Sequence, residues 1–212
     1  MNRVAIWDLP TRIFHWLVVI LIPAQWWTAE EEMMEVHILL GQTMLGLILF
    51  RLLWGLLGSS TARFSGFVRG PRTILLYLGG RKAGIGHSPI GALSVLALLG
   101  ALVIQVSLGL FASDEDGLYS GPLSHFVSYD TAEEIGEIHH EFFNVILGLI
   151  GLHLAAILFY LVVKRDNLVT PMITGARDAP AGTEPMVAAP AWRLLLALGI
   201  AAALTWWIAS GL

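Results

Sequence analysis

Five apolar runs divide this chain of 212 residues, at 11–29, 36–57, 90–112, 138–163 and 191–210. Each has at least the about 17 residues a helix needs to cross the hydrocarbon core of a bilayer. Only 13% of the residues are charged, against about 25% in soluble domains. In lipid every backbone polar group must be satisfied within the protein, which leaves helices and closed barrels. Runs of this length predict helices, so the expected fold is all-α, a polytopic transmembrane bundle. The first run does not read as a cleavable signal peptide, because it lacks a small-residue cleavage site and follows a polar stub. Trp7, Trp16, Trp26 and Trp27 around it, and Trp206 and Trp207 in the last run, suit interfacial anchoring.

Charge orients the bundle. All 12 Lys and Arg fall at the N-terminus, in the second and fourth connections, or at the adjoining helix ends. They are Arg3, Arg12, Arg51, Arg63, Arg69, Arg72, Arg81, Lys82, Lys164, Arg165, Arg177 and Arg193. The first connection carries Glu30, Glu31, Glu32 and Glu35, and the third Asp114, Glu115, Asp116, Asp130, Glu133, Glu134 and Glu137, with no base in either. Basic loops remain in the cytoplasm, so the N-terminus is expected inside and the C-terminus outside. The absence of cysteine excludes disulfides, thiolate metal sites, iron–sulfur ligation and covalent haem attachment.

Seven histidines can then be sorted by depth. His139 and His153 share the fourth run. Their fourteen-residue spacing returns to within about 40° of one helix face and rises about 21 Å. The neighbouring His140 misses that face by roughly 140°. His37 enters the second run from the outer side, level with His139. His15 lies one turn into the first run from the inner side, level with His153. Each level therefore draws one imidazole from each of two helices, as bis-histidine ligation of a planar haem requires. A lone intramembrane histidine can serve instead as an interhelical hydrogen-bonder or a proton relay. Zinc ligation or proton transport would call for carboxylates, and the five runs hold only Glu141, at the outer end of the fourth. Two stacked haems account for four histidines in two levels.

Arg51 follows His37 by fourteen residues and so shares its face, about 21 Å further inward. It can either fork a haem propionate or snorkel to the cytoplasmic headgroups. The glycines of the second and fourth runs read as helix-packing positions, with haem clearance as the other use. The basic second connection, with a short amphipathic stretch at 75–78, suits the headgroup surface. Nothing in the chain suggests nucleic-acid binding. The stretch 176–190, rich in Ala and Pro, reads as a flexible linker.

Several segments resemble the bacterial cytochrome b561 proteins, a family grouped with the b-type cytochrome subunits of nickel–iron hydrogenases. They are Trp7-Asp8-Leu9-Pro10-Thr11-Arg12-Ile13-Phe14-His15-Trp16, His37 to Gly41 with Phe50-Arg51-Leu52-Leu53-Trp54-Gly55, and Gly86-His87-Ser88-Pro89-Ile90-Gly91. His139 through Asn144 to His153, Lys164 to Leu168, and Pro171-Met172-Ile173-Thr174-Gly175 complete the set. The resemblance implies a dihaem domain over 1–175, with two non-covalent b-type haems whose iron is held by His15, His37, His139 and His153. It further implies a bacterial inner-membrane location. The run within 191–212 would be a fifth helix added to a four-helix dihaem core, for lipid packing or partner docking.

The function expected is electron transfer between the quinone pool and a periplasmic redox protein, a c-type cytochrome or a hydrogenase. Such a protein would be the electron-transfer subunit of a respiratory oxidoreductase. Two alternatives are a stand-alone oxidoreductase, such as a superoxide:quinone oxidoreductase, and a haem-free histidine-dependent transporter or anchor. A quinone pocket is expected near the His87 loop. Membrane lipid and quinone or quinol are the expected small partners, and a homodimer is left open.

Overall fold

The computed structural model describes residues 2–68, 70–79 and 85–211. Arg69, Arg81 and Lys82, three of the bases that orient the bundle, lie outside them. The five expected helices are present as α1 (Leu9–Glu30), α2 (Met34–Leu57), α5 (Pro89–Phe111), α6 (Tyr129–Val162) and α8 (Ala191–Ala209). Short helices α3 (Phe64–Phe67) and α4 (Pro71–Leu78) occupy the second connection, and α7 (Val169–Thr174) follows α6. The amphipathic stretch anticipated at 75–78 is the end of α4.

Among the described residues, α2, α5, α6 and α8 are long and apolar enough to cross a membrane. The chain is a membrane protein. The 22 residues of α1 would extend about 33 Å, but Arg12, His15, Pro23 and Gln25 dilute its apolarity. The main departure from expectation is α6, which begins at Tyr129 rather than 138 and runs for 34 residues. Its first turns carry Asp130, Glu133, Glu134 and Glu137. Carboxylates at a helix N-terminus are favoured by the helix dipole, yet they interrupt the apolar signal by which the span was recognised.

The chain forms two compact units. One comprises residues 1–14, 51–97 and 149–197. In it strand β1 (Asn2–Ala5) pairs antiparallel with β2 (Ala176–Ala179), Asn2 opposite Ala179 and Ala5 opposite Ala176. Val4, Ile6, Trp7 and Ala179 bury their side chains together, with Met172 packed on them. Gly175 O accepts the N–H groups of Ile6 and Trp7 at 2.8 and 3.1 Å. The stretch expected to be a flexible linker therefore opens as a paired strand. Further along it, Val187 O accepts the Ser60 N–H at 3.0 Å, while the Val187 N–H donates to Ser60 Oγ at 2.9 Å.

The second unit comprises residues 15–50, 98–148 and 198–212. Here the connection between α5 and α6 folds back on the helix ends. Gly121 N–H donates to Ala112 O at 2.8 Å, Leu123 N–H to Leu110 O at 2.8 Å, and Ser113 N–H to Ala132 O at 3.0 Å. The first two of these bonds satisfy carbonyls that the C-terminus of α5 leaves without an internal donor.

Candidate haem-binding site

His37 stands in the first turn of α2 and His139 in the third turn of α6, both in the second unit. Their ring centroids are 6.1 Å apart and their planes are perpendicular, at 90°. His37 Nδ1 lies 3.0 Å from Gln25 O on α1, and His139 Nδ1 lies 2.9 Å from Gln105 O on α5. A carbonyl can only accept, so each Nδ1 carries the proton and each Nε2 keeps its lone pair. This is how a protein prepares imidazoles as metal ligands.

The spacing fits the same use. With metal–nitrogen bonds of about 2 Å, and about 1 Å more to each ring centre, trans imidazoles on one metal sit about 6 Å apart. The residues thus fit an iron held between them. The remaining contacts are polar but neutral. Thr28 Oγ1 lies 3.4 Å from His37 Nδ1, and the Gln105 side-chain Nε2 donates to His139 O at 2.9 Å and lies 3.5 Å from His139 Nε2.

The other anticipated residues are placed as follows. His15, also in the second unit, meets Trp16 edge-on with centroids 5.0 Å apart. His153 belongs to the first unit, where its Nδ1 lies 3.4 Å from Ser94 Oγ on α5. His140 is exposed, as helical phase requires, and His125 is exposed in the connection before α6. Gly148 and Gly151, between His139 and His153, have no atom outside their own helix backbone within 4 Å of where a Cβ would stand.

Arg51, in the first unit, is only 3% exposed. Its guanidinium lies over the Phe64 ring at 5.1 Å, and Nη1 donates to Ala62 O at 3.4 Å. It is engaged by the connection that follows its own helix. Gly55 makes this possible, since a Cβ there would fall 2.0 Å from Phe64 Cε2. Arg12 has a comparable task, its guanidinium donating to Ile173 O.

Two residues near this cluster carry more than the sequence reading assigned them. Asp8 is 7% exposed. Its Oδ1 accepts the Thr11 N–H at 2.8 Å, capping α1, and its Oδ2 accepts Trp54 Nε1–H at 2.9 Å. An Asp just before Leu9-Pro10 is a helix N-cap signal that could have been recognised. His87 lies between Trp7 and Phe67, with ring centroids at 4.5 and 4.6 Å. Its Nδ1 is buried without a hydrogen-bond partner among the described residues. Burial, aided by the Arg51 charge, pulls its pKa down to about 4, so His87 is neutral at pH 7.

A model of the prokaryotic cytochrome b561 family matches residues 6–175. No curated protein and no solved structure matches the chain. The matched stretch contains His15, His37, Arg51, His139 and His153. Members of this family are membrane cytochromes that bind b-type haem and carry electrons. On these grounds the chain belongs to the prokaryotic cytochrome b561 family.

Proposed function

We propose that this protein is a dihaem b-type cytochrome of the bacterial inner membrane that transfers electrons between the quinone pool and a periplasmic redox partner. That partner would be a c-type cytochrome or a hydrogenase-like protein. The observation that carries the reading is the crossed His37–His139 pair, 6.1 Å between ring centres, with both Nδ1 atoms tied to backbone carbonyls. A b-type haem held there supplies a one-electron iron couple.

The support for the rest is of a different kind. His15 and His153 are proposed as the second axial pair on helical phase and on the span of the family match. Arg51 is proposed to pair with a propionate of that second haem, because a buried cation favours an anionic partner. The dihaem domain is assigned to residues 1–175, with α1 as one of its four helices and α8, within 191–212, as a fifth crossing. The one-sided placement of Lys and Arg supports a cytoplasmic N-terminus and a periplasmic C-terminus. The acidic outer connections would steer a basic partner.

His87 is proposed to face the quinone. A neutral imidazole whose Nδ1 has no hydrogen-bond partner among the described residues can hydrogen-bond a quinone oxygen. The test uses the full chain in liposomes supplied with quinol. Quinol should reduce the chromophore, and an external c-type cytochrome should reoxidise it. His87→Ala should slow quinol-driven reduction and leave the dithionite-reduced spectrum unchanged. A chromophore that dithionite reduces and quinol does not would contradict the quinone assignment. Quinone turnover with superoxide and no partner protein would instead favour a stand-alone oxidoreductase.

A further inference from the structure

We infer that one edge of α5, carrying Gln105 and Gly109, is the positioning element for His139 and holds its imidazole crosswise to that of His37. The inference rests on the reading of these two histidines as axial ligands. Gln105 meets His139 at three points, one of them its side-chain Nε2 lying 3.5 Å from the ring Nε2, and two of them grip it. Its backbone carbonyl accepts the ring Nδ1–H at 2.9 Å, and its side-chain Nε2 donates to the His139 backbone oxygen at 2.9 Å. One bond fixes the ring and the other fixes the backbone that carries it.

Gly109 is what lets the ring in. Residues four apart share a helix face, so position 109 stands beside the Gln105 carbonyl. That carbonyl has two lone pairs, one directed along the helix toward the residue-109 N–H and the other available to an outside donor. A Cβ at position 109 would lie 2.9 Å from His139 Cε1, 3.4 Å from Nδ1 and 3.6 Å from Nε2. The imidazole therefore lies directly against the glycine backbone, a close approach that only a residue without a side chain permits.

His37 is anchored elsewhere, through its Nδ1 to Gln25 O on α1. The 90° angle between the two rings is thus set by two independent anchors. Ligand orientation and the hydrogen bond to the distal ring nitrogen both tune a bound metal. Gln105 and Gly109 are accordingly positioning residues that act on the iron through His139.

The test compares full-length wild type with Gly109→Ala, Gln105→Leu and the control Gly100→Ala. Position 100 is on the same helix, with nothing within 4 Å of its would-be Cβ. The readouts are haem per chain, the electron paramagnetic resonance signal of the oxidised protein, and a redox titration. Gly109→Ala should either lose one haem or shift the signal and midpoint of one haem only. Gln105→Leu, which keeps the backbone carbonyl, should retain both haems and move that same midpoint by less. Gly100→Ala should match wild type. Wild-type signals and midpoints in both Gly109→Ala and Gln105→Leu would overturn the inference. Should Gly109→Ala fail to fold, an unchanged midpoint in Gln105→Leu overturns it alone. Wild-type protein without haem would refute the ligand reading itself, a result separate from either.

Discussion

In the unit that holds His37 and His139, the histidines are oriented by backbone carbonyls, those of Gln25 and Gln105. In the unit that holds Arg51, the polar groups hold one another and the chain. Asp8 takes Trp54 Nε1–H and the Thr11 N–H, Arg51 spans Phe64 and Ala62, and β1 pairs with β2. The contrast shows two ways of ordering polar atoms in an apolar protein. A carbonyl of a rigid helix positions a ring without adding charge. A cluster of side chains fixes loops and termini, at the cost of burying ionic groups that must stay partnered.

Removing His37 or His139 gives the largest effect expected on the carbonyl-anchored side. Either His→Ala variant should lose one of two haems, read by pyridine haemochrome analysis, with the helical far-ultraviolet signal retained. Next is Gly55→Ala on the clustered side. A methyl 2.0 Å from Phe64 must displace the ring beneath Arg51, and overpacking of this kind costs about 1–3 kcal/mol. A lowered thermal midpoint in detergent would register it. Asp8→Ala should cost a similar or smaller amount, about 1–3 kcal/mol, by stranding the buried Trp54 indole N–H. Restoration in Asp8→Asn would separate hydrogen bonding from charge.

His87 yields a smaller, pH-dependent effect. Its folded pKa of about 4 lies below the unfolded 6.5. Between these values the unfolded chain binds a proton that the folded chain refuses. Stability therefore falls as pH drops from about 6.5 to about 4, and levels off below. His87→Leu should flatten that part of the pH profile of the thermal midpoint. The least effect is expected from Asp166→Asn. Its 2.7 Å pair with Arg177 is about a third exposed on both sides, and such pairs contribute about 0–1 kcal/mol. A shift comparable to that of Gly55→Ala would mean that the first unit leans on surface charge more than on its packed cluster.

The sequence was informative where membrane physics forces a long uniform signal. The spans 36–57, 90–112 and 191–210 differ from α2, α5 and α8 by two residues or fewer at either end. The start of α6 was hidden because Asp130, Glu133, Glu134 and Glu137 make its first turns polar. The strand at Ala176–Ala179 was hidden because Ala-Arg-Asp-Ala carries neither alternation nor β-branched residues. At the candidate site, helical phase and depth named His37 and His139, which the structure brings together. Their anchors were not legible, since every residue owns a carbonyl and only the fold selects those of Gln25 and Gln105. Phe64 as the platform for Arg51 was equally out of reach. Its role depends on the turn between α2 and α3, which no periodicity encodes.

The most direct measurement is the reduced-minus-oxidised spectrum of detergent-purified protein with a haemochrome count, on wild type and on His139→Ala. The account predicts close to two b-type haems per chain in the wild type and close to one in the variant. A colourless wild type, or a variant that keeps its full haem complement, would contradict the assignment of the crossed imidazoles as axial ligands.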